Sequence, residues 1–149
     1  MNSMIEEYWR TFCKKHGIDV HTPYSAWSFG SNDEEADQLA DLVNRKIKTA
    51  TTSAYELYDK DESVAQVGEY NIILNSSDTP VCVIQTKVVE IIPYNLISAE
   101  HAYHEGEGDR SYSYWRKVHD EFFTAAYQQE EKQFYPQAPM VCELFEKIE

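Results

Sequence analysis

A chain of 149 residues fits one domain, long enough to bury roughly 70% of its unfolded surface without disulfides or a structural metal. Its net charge of −13 excludes a protein that coats nucleic acid by neutralising phosphates, while a small substrate or a local basic pocket stays open. No basic leader precedes an apolar stretch and no run approaches the ~18 residues of a membrane span, so a soluble, cytoplasmic protein without a membrane partner is expected. Cys13, Cys82 and Cys142 are widely spaced and form no CxxC pair, which predicts buried thiols and neither a disulfide framework nor a zinc site.

The first predicted element is a helix from Ser3 to His16, opened by the capping box Ser3-Met4-Ile5-Glu6, with Ile5, Trp9, Phe12 and Cys13 on one face and Gly17 as its stop. Asp19 to Gly30 reads as an ordered connection in which Tyr24 and Trp27 are candidates for stacking on a ligand ring. A second capping box, Ser31-Asn32-Asp33-Glu34, opens a helix that buries Ala36, Leu39, Ala40, Val43 and Ile47 and has Arg45, Lys46, Ile47 and Lys48 as its last turn. Cations there complement the negative helix end. They also stand beside two hydroxyls in Lys48-Thr49-Ala50-Thr51, where amine and alcohol chemistry can meet.

Tyr55 to Val67 is polar and irregular. Strands are predicted over Glu69–Leu74 and Pro80–Val89, joined as a hairpin by Asn75-Ser76-Ser77-Asp78 and extended until Pro93, with Gln85 and Lys87 on the more exposed face. Ser98 caps a short helix ending at Gly106. A longer helix over Tyr112–Gln128 is expected to bury Trp115, Val118, Phe122 and Ala126, and Pro139–Ile148 alternates as a final strand. Helices and an antiparallel sheet in this order predict an α+β domain, a small β-barrel wrapped by helices.

A dense polar stretch, His101-Ala102-Tyr103-His104-Glu105-Gly106-Glu107-Gly108-Asp109, holds two imidazoles and three carboxylates in nine residues. Three readings stay open: a metal site, although the spacing matches no standard zinc signature; a solvated acidic loop; and a loop that turns a carboxylate into a polar pocket. The cations cluster as Lys14–Lys15, Arg45–Lys46–Lys48 and Arg110–Arg116–Lys117. Arg116 and His119 either reach a phosphate or line a solvated helix face.

Trp27-Ser28-Phe29-Gly30, Lys48-Thr49-Ala50-Thr51, Glu105-Gly106-Glu107-Gly108-Asp109, Trp115-Arg116-Lys117-Val118-His119 and Phe122-Phe123 together resemble the successive signatures of ASCH-domain proteins. The resemblance runs from about Trp9 to the C-terminus and is closest to the larger bacterial subgroup. It implies a PUA-like fold and a cleft suited to a nucleoside, nucleotide or short RNA, with no cofactor. One smaller ASCH member hydrolyses the acetyl amide of N(4)-acetylcytidine with a lysine as proton acceptor, a threonine as nucleophile and a glutamate as proton donor. Lys48, Thr51 and Glu105 match those positions, and Thr52-Ser53 stand where that member has isoleucine and arginine. A non-catalytic RNA-binding module and a ribonuclease are the alternatives within the family. Trp27, Arg45, Lys46, Thr49, His101, Asp109 and Arg116 are the expected ligand contacts around the three.

Amide hydrolysis by this set makes a demand on pKa values. A lysine of ordinary pKa is neutral in about one molecule in 2,500 at pH 7, so Lys48 must be pushed down and Glu105 up.

Overall fold

The computed structural model describes residues 3–149 as an α+β domain. In chain order its regular elements are α1 (Ser3–His16), β1 (Tyr24–Trp27), α2 (Asp33–Asn44), β2 (Ala50–Ala54), β3 (Tyr70–Leu74), β4 (Pro80–Pro93), α3 (Ala99–Glu105), α4 (Tyr112–Gln129) and β5 (Pro139–Lys147). The strands form one sheet in the order β1-β3-β4-β5-β2, antiparallel throughout except for the β1–β3 pair. This is the mostly antiparallel, helix-flanked arrangement expected of a PUA-like fold.

The long strand β4 organises the sheet. It pairs with β3 over Pro80–Gln85 and with β5 over Ile84–Pro93, and the ladder with β5 carries a register shift between Thr86 and Val88. A bulge there bends the strand and lets one run of residues serve two neighbours. The alternation read from the sequence holds here: Gln85 and Lys87 are the more open positions and Thr86 between them is buried.

Helices cover both faces. The α1 stripe Ile5, Trp9, Phe12 and Cys13 packs on Ile72, Leu74 and Val83. Ala40 and Val43 of α2, with Phe29, pack on Ile73, Cys82 and Ile84, residues of opposite parity on the same strands, and on Phe145 of β5. A third cluster joins Ala102 of α3 and Trp115, Phe123 and Tyr127 of α4 to Ala54, Met140 and Cys142 of β2 and β5.

Several elements depart from the expectation. Tyr24–Trp27 is a strand, held in parallel register on β3 and by the Trp27 indole donating to Asn71 Oδ1 at 2.8 Å. The α2 cap is Asn32 in place of Ser31: its Oδ1 accepts from Glu35 N at 2.9 Å while Glu35 reaches back to Asn32 and Ser31. The helix also stops at Asn44, with Lys46 in the left-handed region at φ 63°, so Lys48 is not in a helical last turn. In α1, Ser3 is already helical, and the residue before it lies outside the described residues.

The buried stripe of α4 is Trp115, Phe123 and Tyr127, and Phe122 is 55% exposed. Steps of four keep 115, 119, 123 and 127 on one face, whereas 122 rotates away. Phe123→Ala is therefore expected to cost about 3–5 kcal/mol in urea denaturation. Phe122→Ala should cost below about 1.5 kcal/mol, the most one aromatic pair contributes beyond burial.

Candidate functional site

Lys48 leaves the α2–β2 connection and turns inward, where its side chain is 2% exposed. Four acceptors surround the ammonium: the Ala50 carbonyl at 2.9 Å, Glu107 Oε2 at 3.0 Å, Glu105 Oε1 at 3.2 Å and the Glu105 carbonyl at 3.4 Å. The Phe29 ring centroid lies 5.3 Å away. A lysine ammonium has three protons, so this shell uses its full donor capacity.

Glu105 is equally enclosed. Its Oε2 accepts from Thr52 Oγ1 at 2.6 Å and from the Trp115 indole at 2.7 Å, and stands 3.6 Å from Nε2 of both His101 and His119. His101 Nε2 is 2.8 Å from Thr52 Oγ1. Thr52 has one proton and gives it to Glu105, so His101 donates to Thr52 in a directed chain His101 to Thr52 to Glu105. His119 stacks on Trp115 at 4.2 Å, and its Nδ1 faces the Trp115 carbonyl, an acceptor, at 2.8 Å, which places a proton on Nδ1.

Local backbone geometry explains the glycines of the acidic stretch. Ser98 caps α3 through His101 N, and Gly106 ends it at φ 75°. A Cβ on Gly106 would sit 2.6 Å from the Ile47 carbonyl, and one on Gly108 would enter the Tyr114 ring. The turn is thus pressed onto the α2–β2 connection, and Thr49 N donates to the His104 carbonyl at 2.7 Å to join them. Of the three readings of this stretch, the one in which a carboxylate turns into a polar interior describes Glu105 and Glu107.

The electrostatics oppose the expected acid and base roles. Burial pushes Lys48 down, but the charges of Glu105 and Glu107 and their hydrogen bonds outweigh it, and the amine is held above its ordinary value. Burial pushes Glu105 up, yet Lys48, the bond from His101, His119 and the bond from Thr52 together bring the carboxyl well below its ordinary range. A lysine base needs the first shift reversed, and a glutamic acid donor the second.

The remaining expected residues divide. Lys48, Glu105 and His101 converge, and Thr49 joins their margin through its hydroxyl, 3.4 Å from both Nδ1 and the carbonyl of His104. Thr51 does not join them. Along β2 it alternates with Thr52, which pairs with Cys142 on the α3–α4 side, while Thr51 pairs with Glu143 on the other face. Glu143 there is half-buried, and its carboxyl is raised by burial and by the nearby charge of Glu69. The hydroxyl at Glu105 is therefore that of Thr52, one residue on, and only the strand assignment of Ala50–Ala54 would have revealed it. Trp115 and His119, which complete the Glu105 shell, were legible as a motif but not as its partners.

The expected cation clusters are mostly engaged within the protein. Arg45 pairs with Asp41 at 3.2 Å on the exposed end of α2, and Lys46 is exposed beside it, so neither adjoins the Lys48 ammonium. Lys15 pairs with Glu149. Arg116 lies over the Tyr94 and Tyr112 rings at 4.9 and 5.8 Å, and Arg110 over Tyr103 at 3.6 Å. Asp109 is exposed and accepts from Ser111 N at 2.8 Å, a turn contact. Trp27 donates to Asn71 and stands edge-on to Phe29, the ring beside the Lys48 ammonium, at 4.5 Å.

Comparisons with known proteins show the family and the fold. The ASCH domain family model matches residues 25–149. The chain belongs to the ASCH family. Two solved structures superpose over almost its whole length. An ASCH domain from Lactobacillus crispatus is 29% identical with a TM-score of 0.87, covering 99% of this chain and 95% of its own. A protein from Enterococcus faecalis is 35% identical with a TM-score of 0.86, covering 99% of this chain and 94% of its own. No curated protein matches the chain. Among the described residues no helix of this ASCH domain is long and apolar enough to cross a membrane.

Two outcomes follow for the ion pair. Lys48→Met leaves Glu105 buried without its counter-charge and is expected to cost about 3–5 kcal/mol by urea denaturation, part of which returns in the Lys48→Met/Glu105→Gln double variant. Because the Glu105 pKa is lowered from 4.5, its contribution is present above pH 4.5 and is lost as pH falls below it. Because that of Lys48 is raised from 10.5, its contribution is present below pH 10.5 and is lost as pH rises through the higher folded value. The pair's own contribution to stability should be flat between these limits, and Glu105→Gln should flatten the acid limb.

Proposed function

We propose that this ASCH domain binds a nucleoside or a short single-stranded RNA, with Lys48 and Glu105 as the frame of its site and not as base and acid. The observation that supports this most directly is the saturated Lys48 ammonium, which holds four acceptors, two of them carboxylates, at 2.9 to 3.4 Å. Such an amine has no lone pair to offer a nucleophile. ASCH domains are generally nucleic-acid-related, and a groove beside Thr52, lined mainly by apolar side chains, supplies room for one ring system.

A fluorescence titration with short single-stranded RNAs and with the four nucleosides tests the reading. Saturable binding that survives Glu105→Gln is the expected result. Absence of binding to every probe at low salt would remove it.

One observation favours a second, hydrolytic reading: the Thr52 hydroxyl lies 2.6 Å from a carboxylate and 2.8 Å from an imidazole. In that reading Thr52 takes the place of Thr51 as nucleophile: its Oγ1 bonds to the amide carbonyl carbon as its proton passes to Glu105, Glu105 returns that proton to the amine as the C–N bond breaks, and water then frees the acetate from Thr52. Incubation with N(4)-acetylcytidine separates the cases. Under the binding reading the wild type releases no acetate above the background set by Lys48→Ala. If acetate is released, Thr52→Val and Thr51→Val identify which hydroxyl attacks, since each removes one and keeps its shape.

A further inference from the structure

We propose that the groove along the free edge of β2 seats a single neutral nucleobase, with its hydrogen-bonding edge on the backbone of Thr52 and its face on Phe122. The inference rests on the binding reading above and assigns the place and the part of the ligand that is read.

The strand register supplies the polar half. Phe145 N donates to the Thr49 carbonyl at 2.9 Å, which makes that pair a hydrogen-bonded one. Alternation along the antiparallel ladder then makes Thr51–Glu143 and Ser53–Val141 the next hydrogen-bonded pairs. Ala50, Thr52 and Ala54 therefore turn their N–H and C=O groups away from β5, toward the side where no strand pairs with β2 among the described residues. The outward Ala50 carbonyl is taken by the Lys48 ammonium, which confirms the direction. Ala54 runs directly into the 3-10 turn Tyr55–Leu57. Thr52 is left with one donor and one acceptor side by side, while its hydroxyl is engaged inward by Glu105 and His101.

A single donor–acceptor pair selects the occupant. A peptide adding itself as a strand needs a run of such pairs. The edge of a nucleobase needs one, because each base presents an adjacent donor and acceptor on its pairing edge. The groove has a volume of about 330 Å³, at the lower end of the range for small-molecule sites and enough for one base with its sugar. Its wall opposite β2 is α4, where Phe122 is 55% exposed and braced edge-on by Phe123 at 5.3 Å. A rigid exposed ring across from an unpaired amide is an arrangement for stacking and edge reading together.

Charge decides which part of a nucleotide enters. Thr52, Ser53, Tyr58, Glu62, Phe122 and Phe123 line the groove with one carboxylate and no cation. A phosphate gains nothing there and is repelled by Glu62, so the base enters and any phosphate stays outside. The base can belong to a free nucleoside or to a single-stranded RNA, which present the same edge.

The test is an NMR titration of the full chain, labelled with nitrogen-15, against the four nucleosides. The tightest binder is then compared with its 5′-monophosphate, with its analogue methylated on the ring nitrogen of the pairing edge, and with a short RNA of that base. The Thr52 amide is expected to shift, the methylated analogue to bind at least tenfold more weakly, and the monophosphate to bind no better than the nucleoside. Phe122→Ala should raise Kd about five- to a hundredfold, the span of one base–aromatic stack. The RNA should shift the same amides; tighter binding than the nucleoside identifies a base presented by a strand, and equal binding a free nucleoside. Nucleoside binding with an unmoved Thr52 amide, or unaffected by Phe122→Ala, overturns the seat while leaving the binding reading intact. A monophosphate that binds tenfold tighter overturns the neutral-base selection. No binding by any nucleoside or RNA removes both.

Discussion

The Lys48 ammonium is the junction on which the domain depends, because two stretches of chain far apart in sequence, 48–50 and 105–107, meet at one buried charge. Its acceptors are the carbonyl of Ala50 at the start of β2, the carbonyl and carboxylate of Glu105 at the end of α3, and Glu107 in the following turn. An ion pair at this depth is weak evidence for net stability, since desolvating both charges offsets much of their attraction. Its effect is better described as specification. Only one relative placement of α3 and β2 satisfies the ammonium, and Gly106 and Gly108 permit that placement by removing the Cβ atoms that would block it.

The same junction accounts for the way the protein carries its charge. A net charge of −13 with 13 cations leaves few to spare, and several of the most suggestive cations are turned inward or laid on aromatic rings. Long-range attraction for a polyanion is correspondingly poor. If the domain recognises a nucleic-acid component, hydrogen bonds and stacking must carry the recognition, and these act on bases. Clustered cations in the sequence left a basic pocket open, and in the structure Arg45, Arg110 and Arg116 each have a closer partner within the protein.

Much of the fold was legible because its longer elements repeat a period several times over. The α1 stripe, the β3–β4 hairpin, the Ser98 cap and the final strand are all where periodicity and turn residues place them. The misses are short elements. β1 has four residues and β2 five, too few for alternation to stand out, and β1 exists through its parallel partner β3. The unseen β2 propagated into the site. With Lys48 read as a helix-end cation, no parity could be assigned to the following hydroxyls, and Thr51 and Thr52 were indistinguishable by distance from Lys48. The same error of phase, one residue on a helix face, exchanged Phe122 for Phe123 in the core. The lysine and the glutamate were found as a pair, whereas their protonation states depended on Glu107, Thr52, His101 and His119, whose convergence is a property of the tertiary structure.

The buried cluster and the open edge of β2 are two sides of one strand. Thr52 sends its hydroxyl to Glu105 and His101 on the inside, and the ladder turns its N–H and C=O to the outside. Two consequences follow from that geometry. The hydrogen bonds to Glu105 fix the rotation of Thr52 and so hold the edge amide in one orientation, a form of preorganisation that lowers the entropy lost on binding. A carboxylate with no proton to give is also the right partner for this task, because a group that titrated near neutral pH would release Thr52 whenever it gained a proton. The depressed pKa of Glu105, which disqualifies it as an acid, is what suits it to hold a recognition edge still.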